Sequence, residues 1–192
     1  MKKILLTTLV LSMTLLANSV RAEDYVIDIK GAHAFIQFKI KHLGYSWLYG
    51  RFNKFDGEFS YDDKNPSKAK VTVNIDTASI DSNHAKRDKH LRGKDFLNVG
   101  KFPEAKFVST SFKETGKGTG ILKGNFTLHG VTKKISIDVK HIGHGKDPWG
   151  GYRRGFEGKT SFALKDYNIN YNLGPASKEV ELSLSIEGIR KK

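Results

Sequence analysis

The chain has 192 residues, no cysteine and a formal net charge of +13. Its length fits one domain, able to bury ~70% of its unfolded surface without disulfide or metal staples. The missing cysteines exclude thiolate catalysis, cysteine-ligated zinc and a lipid-modified N-terminal cysteine. The lysines are scattered through nearly every segment, which fits a solvated surface with some attraction for anionic head groups. No recognition motif accompanies the charge, so nucleic acid is not expected as a partner.

The first segment, MKKILLTTLVLSMTLLANSVRA, reads as a secretory signal peptide. Lys2 and Lys3 form a basic start, Ile4 to Ala17 is apolar but too short to span a bilayer, and Val20 and Ala22 have the small side chains of a cleavage site. Residues 1–22 are therefore expected to be removed, leaving residues 23–192 as one domain in the periplasm.

Strand periodicity dominates the rest. DYVIDIK (24–30) is a short first strand. AFIQFKIKH (34–42) alternates, with Ile36, Phe38 and Ile40 on one face and Gln37, Lys39 and Lys41 on the other. RFNKFDGEFSYD (51–62) aligns Phe55, Gly57, Phe59 and Tyr61, and Asn65-Pro66 marks a turn. AKVTVNID (69–76) presents Val71, Val73 and Ile75. After an interruption, AKFVSTSFK (105–113) is a strand whose inward face the pattern leaves open. ILKGNFTLHG (121–130) aligns Leu122, Gly124, Phe126 and Leu128. TKKISIDVKHIG (132–143) aligns Ile135, Ile137 and Val139. GFEGKTSFALK (155–165) aligns Phe156, Gly158 and Phe162, and KEVELSLSIEGIRK (178–191) aligns Val180, Leu182, Leu184 and Ile186.

One face of each strand is charged, so one side of the sheet meets water, which predicts antiparallel pairing. Several strands are long, and long strands leave open edges unless the sheet closes. The expected fold is all-β, one eight-stranded antiparallel barrel. Its inner face mixes Phe with Gly, and glycine there permits bending and leaves room. Eight strands make about the smallest barrel able to hold one small ligand. The predicted lining is Ile36, Phe38 and Ile40; Phe55, Phe59 and Val73; Phe126, Leu128 and Ile137; and Phe156, Phe162 and Leu184.

Alternation stops at DSNHAKRDKHLRGKDFLNVGKFP (81–103). Asp81 or Ser82 can cap a short helix beginning near Asn83, after the fourth strand, with Gly93 beyond its end. Asp88 and Arg92, four apart, are expected to pair on its surface. Ala85 and Leu91 make a thin apolar face, and Phe96, Leu97, Val99 and Phe102 anchor the segment beyond it. The expectation is a polar helix on the rim of the barrel, fixed by Arg87, Asp88, His90 and Arg92. His84 and Asp88 share a face, but His90 lies about 240° round the helix from His84. No metal site is expected here, nor at His141 and His144, which should point to opposite faces of an extended strand. No catalytic residue is assigned. The alternative is an enzyme acting on an amphiphile through His84, Asp88 and His90.

The same stretch carries a resemblance. SNHAKRDKHLRGKDF (82–96) followed by FPEAKF (102–107) resembles the signature of the YceI family, with Ser82 where Thr is common. The similarity runs on through HLGYSWLYGRFNKFDGEF (42–59), LHGVTK (128–133), DPWGGYRRGFEG (147–158) and NLGPASKEVEL (172–182). It implies a lipocalin-like barrel holding an amphiphile with a long apolar tail, such as a polyisoprenoid, an isoprenoid quinone or a fatty-acid derivative. No cofactor is implied beyond that bound lipid, and the family supplies no catalytic residues. Tyr45, Trp47 and Trp149 are candidate contacts for a head group at the mouth. An anionic membrane surface and a second copy of the chain, in a homodimer, are candidate partners.

Overall fold

The structure, a computed structural model, describes residues 22–192, so the reading of residues 1–22 as a signal peptide lies, save for Ala22, outside them. Its elements in order are β1 (Glu23–Ile27), β2 (Phe35–His42), β3 (Ser46–Phe52), β4 (Phe55–Tyr61), β5 (Lys70–Asp76), β6 (Ile80–Asp81), α1 (Ala85–Leu91), β7 (Glu104–Gly116), β8 (Thr119–Leu128), β9 (Val131–Lys146), β10 (Tyr152–Ala163) and β11 (Glu179–Arg190).

These segments form eight walls. β1 and β2 pair with the two halves of β11, Tyr25 opposite Arg190 and Ile40 opposite Val180. They are one strand interrupted by residues 28–34. β3 and β4 pair with β2 and β1 respectively and are likewise one bent strand, and β6 and β5 continue the pattern beside them. β7 to β11 form an antiparallel meander, and the β1–β11 pairing closes the ring. Closure pairs each of the long strands β7 to β11 on both sides, as their length requires. Among the described residues it leaves only the short β6 and the outer part of β3 without a second partner. α1 lies in the connection between β6 and β7. Among the described residues no helix is long and apolar enough to cross a membrane.

The strands obey their alternation except at register slips in β7 and β9. In β7, the register against β8 shifts between Ser109 and Ser111, so Phe107 and Phe112 both point inward although five residues apart. That bulge is why counting in twos leaves the inward face of 105–113 open. In β9, the register against β10 shifts so that Gly143 faces Gly155 but His141 faces Phe156, leaving Ile142 as the extra residue. The slip turns His141 and His144 toward each other.

The inner glycines work differently from the expectation. A Cβ on Gly124 would stand 2.4 Å from the Phe107 ring, so that glycine makes way for a phenylalanine rather than for a ligand. A Cβ on Gly57 would stand 2.5 Å from the Thr72 carbonyl oxygen and 2.8 Å from Ile27 Cδ1. Gly158 alone of the three lines open space.

Candidate functional site

The inward faces enclose a cavity of about 540 Å³, with a second space of about 120 Å³ deeper in the barrel. The larger is within the size range of small-molecule sites. Ile36, Ile75, Phe126 and Leu182 line both and form a waist between them. Of the predicted lining, Phe38, Ile40, Leu128 and Phe162 join Ile36 and Phe126 around the outer chamber. Phe59, Val73, Ile137, Phe156 and Leu184 surround the inner one. Phe55 lines neither; it is half-buried and packs between the two core clusters.

The outer chamber opens at the end of the barrel carrying the β2–β3 turn, α1 and the segment between β10 and β11. Leu43, Leu91, Tyr171 and Leu173 complete its apolar wall there. Sequence reasoning misses these because they sit in connections, where no period marks an inward face. The polar side chains at this mouth are Lys41, His42, Arg87, His90, Asn172 and Ser177, and no Asp or Glu is among the lining residues.

α1 is pinned by specific bonds. His84, not Asp81 or Ser82, caps it: its Nδ1 accepts the Arg87 N–H at 3.2 Å. Asn83 has a left-handed φ of 61°, which starts the helix later than expected, and Asp81 accepts the Asn83 N–H instead. Asp88 does not form the predicted surface pair with Arg92. It is buried and accepts from the Ser82 backbone N–H at 2.8 Å and from the Ser82 hydroxyl. Arg92 donates to the Ile80 carbonyl. Arg87 forks onto Ser82, Nε to its hydroxyl at 2.7 Å and Nη2 to its carbonyl at 2.6 Å. His90 meets Asp95 at 2.8 Å and packs edge-on against Phe96 and Tyr171. His84, Asp88 and His90 thus have three different partners and do not gather at one point. Among the described residues, the His and acidic side chains that cluster in threes are Asp28, His33 and Glu187.

That cluster lies on the outer surface, around Arg153. Its guanidinium donates to Asp28 at 2.6 Å and to Glu187 at 2.5 Å through Nη1, and to Asp147 at 2.8 Å through Nε. Burial alone would raise the Asp28 carboxyl, but bonds from His33, Arg153 and the Gly31 N–H outweigh it and hold the group at about 2.

The other end of the barrel is shut. Arg154 is in phase with Phe156 and Gly158 and points inward; its side chain is 1% exposed. Asp63 reaches in from the β4–β5 turn and takes both terminal nitrogens, at 2.9 and 2.6 Å. The guanidinium also lies 4.7 Å from the centre of the Tyr61 ring and contacts the Tyr25 hydroxyl. Burial acts to lower this group, but the bonds to Asp63 and Tyr25 raise it further and keep it charged. A cation on the apolar phase of 154–162 is a legible signal of this plug. His141 and His144 lie near the same end with ring nitrogens 3.2 Å apart, contrary to the expectation of opposite faces; the β9 slip is the reason.

The three aromatic candidates for the mouth line neither chamber. Trp47 is on the outward phase of β3, with Lys39 Nζ 4.2 Å from its ring centre. Tyr45 is 88% exposed at the tip of the β2–β3 turn. Trp149 stands on the β9–β10 hairpin, at the shut end, 78% exposed beside Arg153.

The model of the YceI-like domain matches residues 25–188. The chain belongs to the YceI family. A UPF0312 protein of Shewanella sp. (strain MR-7) is 58% identical over 191 residues, covering 100% of both chains. Among solved structures, BcnA of Burkholderia cenocepacia superposes with a TM-score of 0.76 at 19% identity, covering 84% of this chain and 98% of BcnA. A polyisoprenoid binding domain from Saccharophagus degradans superposes with a TM-score of 0.62 at 13% identity, covering 87% and 98%. These two likenesses are of fold: the lipocalin-like YceI barrel, closed by eight strands, is common to all three. In this YceI chain Ser82 and Asp88 form the bonded network that holds Arg87 in the cavity wall.

Proposed function

We propose that this protein binds a long-chain amphiphile inside the barrel, tail inward and head at the mouth by α1. The observation that carries the reading is a blind apolar space in two chambers, shut by Arg154 at one end and open at the other. A polyisoprenoid, an isoprenoid quinone or a fatty-acid derivative has the required shape. The polyisoprenoid binding domain from Saccharophagus degradans, which shares the fold, supports the first of these. A binding role is favoured over catalysis because His84, Asp88 and His90 are each engaged elsewhere. The signal-like residues 1–22 support action in the periplasm.

Burying a methylene is worth ~0.8 kcal/mol relative to water. The tail's natural alternative is a membrane, already apolar, so transfer into the barrel is a near-balanced exchange. That suits a carrier or a store, which loads and unloads, and the basic surface favours contact with anionic bilayers. Organic extraction of protein purified from its native source, followed by mass spectrometry, should recover such a lipid. With soluble homologues of increasing chain length, affinity should rise about fourfold per methylene and level off once both chambers are filled. Leu182→Trp, at the waist, should make that plateau arrive at a shorter chain. Ligand-free protein that also ignores added isoprenoids and fatty acids would rule the reading out.

A further inference from the structure

A cation facing an apolar cavity normally carries its counter-charge with it. Arg51, Arg153, Arg154 and Arg190 each pair with a carboxylate. Arg87 forms no such ion pair among the described residues, although it is half-buried and lines the outer chamber. Its bonds go to neutral oxygens of Ser82. The Asp88 carboxylate lies one step further, on the far side of the Ser82 hydroxyl, which donates to Asp88 while accepting from Arg87 Nε. This relay fixes the guanidinium plane and leaves Nη1 without a protein acceptor among the described residues. Lys41, also on the cavity wall, forms no ion pair among them either, and no Asp or Glu contributes to that wall.

We propose that Arg87 is held ready to bind an anionic head group, so that the ligand is an amphiphilic anion, a phosphate or carboxylate on a long apolar tail, rather than a neutral lipid. The inference rests on the amphiphile-binding reading above and specifies the head. Ser82 and Asp88 act as positioning residues: they set the guanidinium in the one place where a head group would stand once the tail is seated. A hydrogen bond to a charged partner contributes on the order of 1.5–3 kcal/mol, which is a preference of roughly tenfold to a hundredfold over an uncharged head of equal tail.

The test uses one tail with two heads, geranylgeranyl phosphate and geranylgeraniol, titrated into the protein by calorimetry. The expected result is a preference for the phosphate of at least about tenfold. Arg87→Gln should bring the ratio of the two affinities toward unity, whereas Arg87→Lys, which keeps the charge but loses the fork, should retain most of it. Thermal melts of both variants check that they fold; if Arg87→Gln does not, Asp88→Asn, which loosens the relay but leaves the charge, should lower the ratio in part. Equal affinity for both heads in the wild type overturns the inference and leaves the amphiphile reading standing. An Arg87→Gln variant whose affinities fall together assigns Arg87 a purely structural role and also overturns it. Inorganic phosphate should not compete at millimolar concentration; if it displaces the ligand, the site is one for free anions and the inference fails. Binding of neither probe defeats the amphiphile reading itself.

Discussion

The barrel holds an inward-facing arginine near each end, and the two are treated in opposite ways. At the shut end Arg154 is 1% exposed and gripped on both terminal nitrogens by Asp63, with the Tyr61 ring beneath it. At the open end Arg87 is half-buried, and among the described residues its guanidinium donates only to the neutral oxygens of Ser82. One guanidinium is satisfied by the protein and seals the tunnel. The other has a free donor edge in the cavity wall. The contrast separates a residue that maintains the fold from one available to a ligand, although both are arginines within a barrel of greasy side chains.

The largest effect should come from breaking the shut end. Asp63→Ala leaves a buried guanidinium without its counter-charge. Breaking a fully buried pair costs about 3–5 kcal/mol. The loss here should be smaller, about 2 kcal/mol, because the Asp63 side chain is 61% exposed and screened by water. For a domain of this size that corresponds to a fall in Tm of roughly 4–8 °C. Arg154→Met with Asp63→Asn removes both charges and should recover most of the loss, because a paired buried ion can be replaced by apolar volume at little cost. Arg87→Gln should shift Tm by much less, since it breaks bonds to neutral oxygens at a partly solvated rim. Melts of the four proteins decide the matter: equal losses for Asp63→Ala and Arg87→Gln would erase the distinction between the two ends.

The ends also differ in their acids. Carboxylates crowd the shut half, with Asp63 capping Arg154 from the exposed β4–β5 turn and Asp28, Asp147 and Glu187 around Arg153, whereas none lines the mouth. Acid should therefore loosen the shut half. Asp28 sits at about 2 when folded, below its unfolded value near 4. The stability it contributes is fully present above that unfolded value and is lost as pH falls toward 2. The loss between pH 5 and pH 2 should be about 2 kcal/mol from this group. In urea melts at those two pH values, Asp28→Asn should narrow the difference by that amount. An unchanged difference would mean that the Arg153 cluster does not hold the carboxylate as its bonds suggest.

Much of the barrel is legible in the amino-acid sequence. Period-two runs such as 34–42, 121–130 and 178–191 display their inward residues directly, and the Phe-rich face implies a closed barrel with a hollow. The illegible parts have identifiable causes. Residues 46–52 form β3 with Leu48, Gly50 and Phe52 inward, but Trp47 and Tyr49 point outward, so both faces carry large apolar side chains and the alternation that would mark the strand is blurred. The slips in β7 and β9 break the count of two, which leaves 105–113 unassigned and separates His141 from His144 on paper. The wall of the mouth comes from α1, the β2–β3 turn and 171–174, brought together only by closure of the ring. Arg87 is readable as part of a network holding the helix; that the network sets it in a cavity wall depends on residues some forty positions away in sequence, such as His42 and Leu43, lining the same space.

The smallest effect should come from the two tryptophans, and it sharpens the comparison because they stand at opposite ends. Trp47 is near the mouth but on the outer phase of β3, its ring covered by Lys39; Trp149 is on the hairpin at the shut end. Neither lines a chamber. Trp47→Phe and Trp149→Phe are surface changes of within about 0.5 kcal/mol, so each should alter ligand affinity by no more than about twofold. Since these are the 2 tryptophans of the chain, filling the barrel should leave the protein's tryptophan emission nearly constant. Titration of a long-chain ligand followed by that emission is the check. Strong quenching that disappears in Trp47→Phe would put the head group outside the rim, on the face of β3, and would move the mouth away from Arg87. Quenching lost instead in Trp149→Phe would open the end that Arg154 is seen to close.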